Sequence, residues 1–377
     1  MQIEQCHWID EAGWDRPPGG LEKADLVLVF AASGLSATPE RFAEIGASYP
    51  GARVTGCSTA GEICGVRVRD GSVVSTAVRF DSTRVSGVRA AIDDASQSFQ
   101  VGEEIAGALE HDGLVHVLVF SDGLNVNGSD LVRGLARHLP PEVTISGGLS
   151  GDGERFQETW VVWGGQAVPR AVAAVGLYGS HLRVGSASLG GWDPFGPERL
   201  ITRSSGNILF ELDGRSALDL YKLYLGDHAA ELPASGLLFP LSLRTREGDA
   251  GVVRTILAVD EESSSMTFAG DVPEGGYVRL MKANFDRLID GAMGAARTSA
   301  GAAGVGTPDL ALLISCVGRK MVLGQRVEEE VEGVREVLGE GTVLTGFYSY
   351  GEISPFTPSA RCELHNQTMT ITTFSEA

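Results

Sequence analysis

The chain has 377 residues, enough for two or three domains, so a disulfide scaffold or a mini-protein is excluded. Its 30 basic and 49 acidic residues give a net charge of −19, which disfavours nucleic acid and anionic lipid as partners. The 50 glycines predict many tight turns.

Targeting signals and cysteine usage indicate the compartment. The chain begins without a basic region followed by an apolar one, and no run reaches the roughly 18 apolar residues that a membrane helix needs. The five cysteines are scattered and include no C-x-x-C pair. We therefore expect a cytoplasmic protein with reduced thiols, no membrane association and no structural zinc site.

The first of three similar segments starts with a buried strand over residues 25–34. Thr38 is expected to cap a short helix that ends near residue 48, and residues 53–63 predict a second strand. An apolar strand over residues 71–80 closes the segment. This pattern is typical of a crossover unit in a mixed sheet.

The second segment repeats the pattern with a strand from residue 116 and a helix that opens at Ser129. A second strand with its glycine-containing end over residues 143–152 and an apolar strand near residues 171–178 complete it. The spacing from the first strand to the glycine of the next is 26 residues in the first copy and 27 in the second. A crossover connection can span these lengths.

The region that follows has a different pattern. Residues 200–214 predict a strand and a turn, and residues 216–225 a helix. The next elements are expected to be a hairpin, a helical stretch and a mobile surface loop, over residues 252–269, 276–296 and 299–306. We place a domain boundary near Gly214.

The third segment has a strand over residues 310–318, an amphipathic helix, a strand over residues 343–353 and a closing strand over residues 363–374. The first and third segments share the motif Gly-x-x-x-x-Gly-Glu-Ile. We predict an α/β fold in which strand-helix-strand-strand modules form mixed sheets with helices on the outside. The predicted domains cover residues 25–214 and 215–374, and a layered αββα sandwich is one arrangement that fits.

Motifs for common enzymes are absent from the chain, which has no G-x-S-x-G, no phosphate loop, no G-x-G-x-x-G and no H-E-x-x-H. Cys57 lies at a strand end beside Ser58, where a thiolate nucleophile is one interpretation and a buried structural thiol is the other. Glu62 and Glu352 hold equivalent places in the shared motif and are a second candidate catalytic pair. A hydrolase-like enzyme that uses Cys57 stays open as an alternative function.

Polar residues in loops after buried strands form a second candidate group. Asp122, Asn127 and Asp152 lie where an open α/β sheet places its ligand crevice, although Asp-Gly and Asn-Gly also favour turns without any ligand. Tyr348 and Tyr350 offer aromatic faces with hydroxyl groups, which suit either an amphipathic ligand or a core edge.

Histidine is the remaining candidate. No histidine has the spacing of a metal site, and the absence of C-x-x-C-H excludes covalent haem attachment. His365 is the first residue to test as a haem ligand or a polar-ligand contact. The expected ligand-binding residues are Cys57, Ser58, Glu62, Asp122, Asn127, Asp152, Tyr348, Tyr350, Glu352 and His365.

Taken together, several of these motifs resemble the FIST proteins, which have an N-terminal and a C-terminal FIST domain. The resemblance rests on the motifs at residues 56–63, 120–123, 147–152, 346–355 and 364–369, and it extends from about residue 25 to residue 374. It implies a sensory module of signal transduction that binds a small ligand, with amino acids or related metabolites as candidates.

The resemblance also implies an alternative cofactor and a class of partner. Some relatives resemble haem-based nitric-oxide sensors that control a histidine kinase or a cyclic-di-nucleotide enzyme. This chain carries no kinase, cyclase or chemoreceptor segment, so its output is expected to pass through a separate signalling protein. The leading expectation is a receptor without catalytic residues, and a haem sensor is the alternative.

Overall fold

The computed structural model describes residues 1–37, 39–245, 251–304, 306–355 and 361–377. They form three similar α/β modules and one smaller inserted unit. The first module consists of β1 (Gln2–Ile9), β2 (Gly13–Trp14), β3 (Leu26–Ala32), α1 (Pro39–Ser48), β4 (Arg53–Thr59), β5 (Glu62–Cys64), β6 (Arg67–Arg69) and β7 (Ser72–Arg79). The cap predicted at Thr38 lies outside the described residues.

The second module follows directly, and the third begins immediately after it. The second consists of β8 (Arg84–Ala91), α2 (Ser98–Ala108), β9 (Leu114–Ser121), α3 (Gly128–His138), β10 (Thr144–Leu149), β11 (Trp160–Trp163), β12 (Gln166–Pro169) and β13 (Ala171–Tyr178). The third module opens with β14 (Leu182–Leu189), after which the inserted unit interrupts it.

The inserted unit has two connected groups of antiparallel strands and one longer helix. Its elements are β15 (Asp193–Ser205), β16 (Ile208–Leu212), β17 (Arg215–Ser216), α4 (Ala217–Leu225), β18 (Leu241–Arg244), β19 (Val252–Arg254), β20 (Ile256–Asp260), β21 (Ser265–Phe268) and β22 (Tyr277–Lys282). The third module then resumes with α5 (Phe285–Ala303), β23 (Leu310–Cys316), α6 (Val317–Leu323), α7 (Val327–Leu338), β24 (Val343–Ser349), β25 (Gly351–Pro355), β26 (Cys362–His365) and β27 (Met369–Glu376).

The same strand order recurs in all three modules. In the first, β3 lies parallel to β4 and antiparallel to β7, which pairs in turn with β1. The orders β10-β9-β13-β8 and β24-β23-β27-β14 repeat this arrangement. The predicted repeating α/β modules with mixed sheets are therefore confirmed. Each module also begins with a further strand, which is β1, β8 or β14.

Each module also contributes one hairpin to the sheet of another module. The hairpin β5-β6 of the first module extends the sheet of the third, and β25-β26 of the third extends the sheet of the second. The hairpin β11-β12 of the second module extends the sheet of the first, which closes the cycle. The single strands predicted over residues 53–63 and 343–353 are therefore each two strands that belong to different sheets.

Three equivalent glycines are required at the point where the exchanged hairpins join. Gly56, Gly147 and Gly346 lie on β4, β10 and β24, and each pairs with an exchanged strand. A Cβ atom there would lie 1.8, 1.9 and 1.8 Å from a carbonyl oxygen of the adjoining parallel strand. The first glycine of the shared motif is thus required by strand packing, whatever the ligand.

The three modules share one apolar core. Phe30 and Phe120 come from β3 and β9 of the first and second modules, Phe347 comes from β24 of the third, and all three are fully buried. Their ring centroids lie 4.8 to 6.2 Å apart, the range in which aromatic rings attract one another. The modules consequently form one body around a common centre.

Two predicted elements near the inserted unit are wrong. The helical stretch predicted from residue 276 begins as strand β22, and the loop predicted over residues 299–306 is helix α5 as far as Ala303. The small residues of α5 serve close packing, because a Cβ on Gly185 of β14 would lie 1.9 Å from the Ser299 carbonyl oxygen. The closing strand predicted over residues 363–374 is also two strands, β26 and β27, separated by a turn with Gln367 at a φ of 63°.

The predicted domain boundary at residue 214 falls in the turn of the β16-β17 hairpin, inside the inserted unit. The division into residues 25–214 and 215–374 stays a prediction. None of the helices in the described part of the chain has the length and apolar character needed to cross a membrane.

Candidate functional site

The exchange of hairpins produces three clefts at related places in the three modules. Each lies between the helix after a central strand and the hairpin received from a neighbouring module. The first cleft lies between α6 and the segment that contains β5 and β6, and its volume is about 840 Å³. The second lies between α3 and β26, with about 440 Å³, and the third between α1 and β12, with about 540 Å³.

The bends that follow β4, β10 and β24 meet beside the first cleft. The Ala60 backbone N–H donates to the Tyr348 carbonyl over 2.8 Å, and the Tyr348 N–H donates to the Gly61 carbonyl over 2.8 Å. The Gly151 N–H donates to the Ser58 carbonyl over 3.0 Å. The glycine-containing bends of all three modules are therefore hydrogen-bonded to one another, with a cleft next to them.

Two cations line the first cleft, both in polar contacts that a ligand can replace. The Lys320 Nζ on α6 donates to the Ala60 carbonyl over 2.7 Å and forms an ion pair with Asp70. Arg155 donates to the Ser33 hydroxyl, and its Nε lies 3.9 Å from an Asp152 carboxylate oxygen. Lys320 thus joins α6 of the third module to the bend of the first.

Glu62 borders the first cleft, but its carboxyl group points into a buried hydroxyl cluster. It accepts hydrogen bonds from the Thr59 hydroxyl and from the Ser72 backbone N–H and hydroxyl, the latter two over 3.1 and 2.7 Å. Burial raises the pKa of Glu62 to about 7. A carboxyl with this pKa holds its proton through much of the neutral range.

Glu352 occupies the equivalent position in the third module. It accepts from the Ser349 hydroxyl over 2.7 Å and from the Thr368 N–H and hydroxyl over 3.2 and 2.9 Å. Burial raises the pKa of Glu352 to about 8. Glu62 and Glu352 therefore have the same structural role in two modules, and Glu352 does not line any of the three clefts.

The second module lacks this carboxyl and one of its partners. Strand register places Val161 where the other modules have the glutamate, and Ala171 where they have Ser72 or Thr368. The acid and its hydroxyl partner have thus been replaced together by apolar residues. This joint replacement indicates that the buried glutamates stabilise the hairpin junction and act as a local pair with the hydroxyl.

The three polar loop residues build turns. Asp122 accepts from the backbone N–H groups of Leu124 and Asn125 over 2.9 and 2.7 Å. Asn127 caps α3 by accepting from two backbone N–H groups of its first turn. Asp152 accepts from three successive N–H groups at residues 156–158 over 2.8 to 2.9 Å, and it borders the first cleft.

The two tyrosines are buried on either side of the bend in the third module. The Tyr348 hydroxyl donates to Glu330 over 2.7 Å, and the Tyr350 hydroxyl donates to Asp152 and to the Gly153 carbonyl, the latter over 2.9 Å. Burial raises the pKa of both hydroxyls, so both are donors at neutral pH. Tyr350 therefore holds the Asp152 loop that forms one wall of the first cleft.

Cys57 and Ser58 are part of the interior. The Cys57 side chain is fully buried, and burial raises the pKa of its thiol well above the ordinary value. The Ser58 hydroxyl accepts from the Trp160 backbone N–H over 3.1 Å. A thiol that stays protonated and shielded from solvent does not fit the role of an activated nucleophile.

The residues around His365 do not fit haem ligation. Its Nε2 lies 2.9 Å from the Ser354 carbonyl oxygen, and the side chain is buried under β25. Burial lowers the pKa of His365 to about 4, so the ring is neutral. Among the described residues that line the three clefts there is no histidine, and the His365 side chain is buried away from all three.

The predicted site residues therefore divide into two groups. Glu62 and Asp152 border the first cleft, whereas the other eight lie in the interior or in turns outside its lining. Sequence reasoning missed Lys320, Arg155 and Asp70. Lys320 gave no local signal, because it lies in the last turn of α6, where a cation is favourable with the helix dipole and needs no other reason.

Family models match almost the whole chain. The model of the FIST N domain matches residues 25–215, and that of the FIST C domain matches residues 217–355. An uncharacterised protein of Methanocaldococcus jannaschii is 23% identical over 258 residues, which cover 62% of this chain and 49% of that protein. The chain thus spans about half the length of this curated relative.

A solved structure of a cyanuric acid hydrolase aligns with 100% of this chain and 99% of its own. The identity is 10% and the TM-score is 0.30, which is too low for a shared fold to be inferred.

Proposed function

Because the chain belongs to the FIST family, whose domains are associated with signal-transduction sensing of small ligands, we propose that it is a sensor whose ligand binds in the first cleft. The observation that carries this proposal is the meeting of the three bends beside a cleft of about 840 Å³. A cleft of this size accommodates a small metabolite.

The charges of the first cleft favour a ligand with both a carboxylate and an ammonium group, such as an amino acid or a related metabolite. Lys320 and Arg155 supply donors for a carboxylate, and the cleft also has acidic side chains at Asp10, Asp70 and Glu154. Charge-assisted hydrogen bonds of this kind are each worth roughly 1.5–3 kcal/mol. A ligand with only one sign of charge would leave either the two cations or the three acids without a partner in the ligand.

Lys320 offers a physical route from ligand to signal. Its ammonium group ties α6 to the Ala60 bend and to Asp70. A bound carboxylate competes for that ammonium group, so the free and bound forms differ in how the third module is attached to the first. A ligand transmits a signal only through such a difference between two states.

The receiver in this proposal is a separate signalling protein of the cytoplasm, such as a histidine kinase or a cyclic-di-nucleotide enzyme. The cytoplasmic setting is supported by five cysteines that are all free thiols. The enzyme alternative has little support, since the thiol of Cys57 is buried and protonated.

A thermal-denaturation screen of amino acids and related metabolites tests the ligand. A true ligand stabilises the protein by about 2.7 kcal/mol at a hundredfold excess over its dissociation constant. Lys320→Met and Arg155→Gln should each weaken the effect by about tenfold in dissociation constant, because each removes a charge-assisted hydrogen bond. Lys222→Met is the matched control, since Lys222 has its own ion pair with Glu261 on the inserted unit.

Two results would contradict the proposal. One is a screen in which no compound raises the melting temperature, and the other is a ligand whose effect is the same in Lys320→Met as in the Lys222→Met control. A Soret band in protein expressed with haem supplied would instead favour the haem alternative.

A further inference from the structure

The second cleft is related to the first by the module repeat, but its wall includes part of the inserted unit. It is bordered by α3 of the second module, β26 of the third and strands β18 and β19 of the inserted unit. Three arginines line it: Arg133, Arg244 and Arg254. Its chemistry therefore differs from that of the first cleft, where a lysine and one arginine are found.

Two of these three arginines already have carboxylate partners. Arg133 forms ion pairs with Asp130 and with Asp271, the latter over 3.2 Å. Arg244 binds both carboxylate oxygens of Glu198 over 2.7 Å. Their charges are compensated without any ligand.

Arg254 has a buried guanidinium group without a carboxylate at ion-pair distance among the described residues. The residue is only 7% exposed. Its Nε donates to the Asp271 carbonyl over 3.1 Å, and its Nη1 donates to the carbonyls of Leu364 and Val253 over 3.0 and 3.4 Å. These carbonyls provide hydrogen bonds but no negative charge.

The two carboxylates that act on Arg254 either bind other side chains or face solvent. The Asp271 carboxylate binds the Asn127 amide over 2.7 Å and pairs with Arg133, while Glu363 is exposed on β26. Burial of a cation without an ion pair is costly, and burial lowers the pKa of Arg254 to about 10 although the charges of Asp271 and Glu363 act in the opposite direction. An anion in the cleft would remove that cost.

We propose that the second cleft is a separate binding site for a small oxyanion, a phosphate or carboxylate group of a metabolite, which pairs with the guanidinium of Arg254. A guanidinium N–H can donate to either group, and the cleft volume of about 440 Å³ suits a small molecule. Arg254 belongs to the inserted unit, whereas α3 and β26 belong to the modules. An anion that contacts both sides of the cleft would therefore add a link between the inserted unit and the modules.

This inference does not depend on the proposed function of the first cleft. Lys320 and Arg155 line only the first cleft, and Arg254 lines only the second. Failure of one site therefore leaves the other intact.

Calorimetric titration with inorganic phosphate, and separately with citrate, tests the site at constant ionic strength with chloride as the reference anion. Binding by phosphate alone identifies a phosphate site, and binding by citrate alone identifies a carboxylate site. We expect Arg254→Met to weaken anion binding by at least about tenfold, the value of one charge-assisted bond. Arg203→Met is the matched control, because Arg203 lies on the same unit and pairs with Glu211 outside the cleft.

A second variant keeps the test decisive if Arg254→Met does not fold. Glu363→Gln removes an exposed negative charge from the cleft wall and should strengthen anion binding by about threefold. Lys320→Met should leave anion binding unchanged. The proposal is overturned if neither anion binds the wild-type protein, or if binding is equal in wild type, Arg254→Met and Glu363→Gln.

Discussion

Replacing Glu352 by glutamine is expected to reduce the loss of stability that the wild-type protein undergoes as pH rises from 6.5 to 8. The carboxyl is fully buried and bonded to Ser349 and Thr368, and burial raises its pKa to about 8 from an ordinary 4.5. Between those two pH values the folded protein holds a proton that the unfolded chain releases. The stabilisation is therefore complete below pH 4.5 and is lost as pH rises through 8.

The useful pH window follows from the other buried groups. Burial lowers the pKa of His116 to about 3 and that of His365 to about 4, so both rings stay neutral in the folded protein. Unfolded histidines bind protons below about pH 6.5, which makes stability fall as pH decreases there and opposes the effect of the glutamates. From pH 6.5 to 8 the two glutamates contribute most, and the stabilisation from Glu62 is lost as pH rises through about 7. Above about pH 8 the buried thiols, whose pKa values burial raises, add a further loss that the wild type and the variants share.

The expected magnitude is about 1.4 kcal/mol of unfolding free energy per pH unit for one proton. From pH 6.5 to 8 this amounts to roughly 2 kcal/mol from Glu352 in the wild-type protein. In Glu352→Gln the fall in unfolding free energy over this window should be smaller by this amount, because the amide does not titrate and Glu62 still does. The Gln side chain can still accept from Thr368 and donate to Ser349, so the variant should fold.

Urea unfolding at half-unit steps from pH 6.5 to 8.5 measures the effect. Glu329→Gln is the matched control. The exposed Glu329 carboxylate accepts a hydrogen bond from Arg326, which lowers the pKa of Glu329, so this carboxylate is ionised throughout the pH window. Parallel curves for wild type and Glu352→Gln would refute the reasoning, because they would mean that Glu352 is ionised in the folded protein.

Two further predictions concern buried polar pairs. Glu352→Val combined with Thr368→Ala copies the apolar pair of the second module. We expect the double variant to lose about 1 kcal/mol less unfolding free energy than the sum of the losses of the two single variants, as measured by a urea double-mutant cycle. Strictly additive losses would contradict this prediction. Glu330 and Arg319 form a fully buried ion pair over 2.7 Å. Glu330→Gln leaves the guanidinium uncompensated and should cost roughly 3–5 kcal/mol in unfolding free energy, whereas an effect no larger than that of Glu329→Gln would contradict it.

Much of the fold could be predicted from the sequence because its signals are local. An apolar run, a helix and a second apolar run that contains glycine recur three times, and each signal acts within a few residues. The strand at residues 171–178 was predicted with the bounds that the structure has. Where a local signal conflicted with packing, the prediction was wrong, as for the small residues of α5 that permit contact with Gly185.

The candidate site was only partly predictable for a related reason. Asp122, Asn127 and Asp152 follow buried strands as expected, yet all three accept backbone N–H groups of their own loops. A turn and a ligand crevice favour the same residue types at the same strand ends, so composition cannot separate them.

What the sequence by itself determined is the module: its strands, its crossover helix and the glycine at which the chain bends. Only the tertiary structure decided that each hairpin joins a neighbouring sheet, since the alternation of side chains along β5 is the same whichever sheet it joins. That exchange places Lys320 beside Asp70 and Arg254 beside Leu364, pairs separated by 250 and 110 residues. Contacts over such distances depend on packing of the whole chain, which no local pattern encodes.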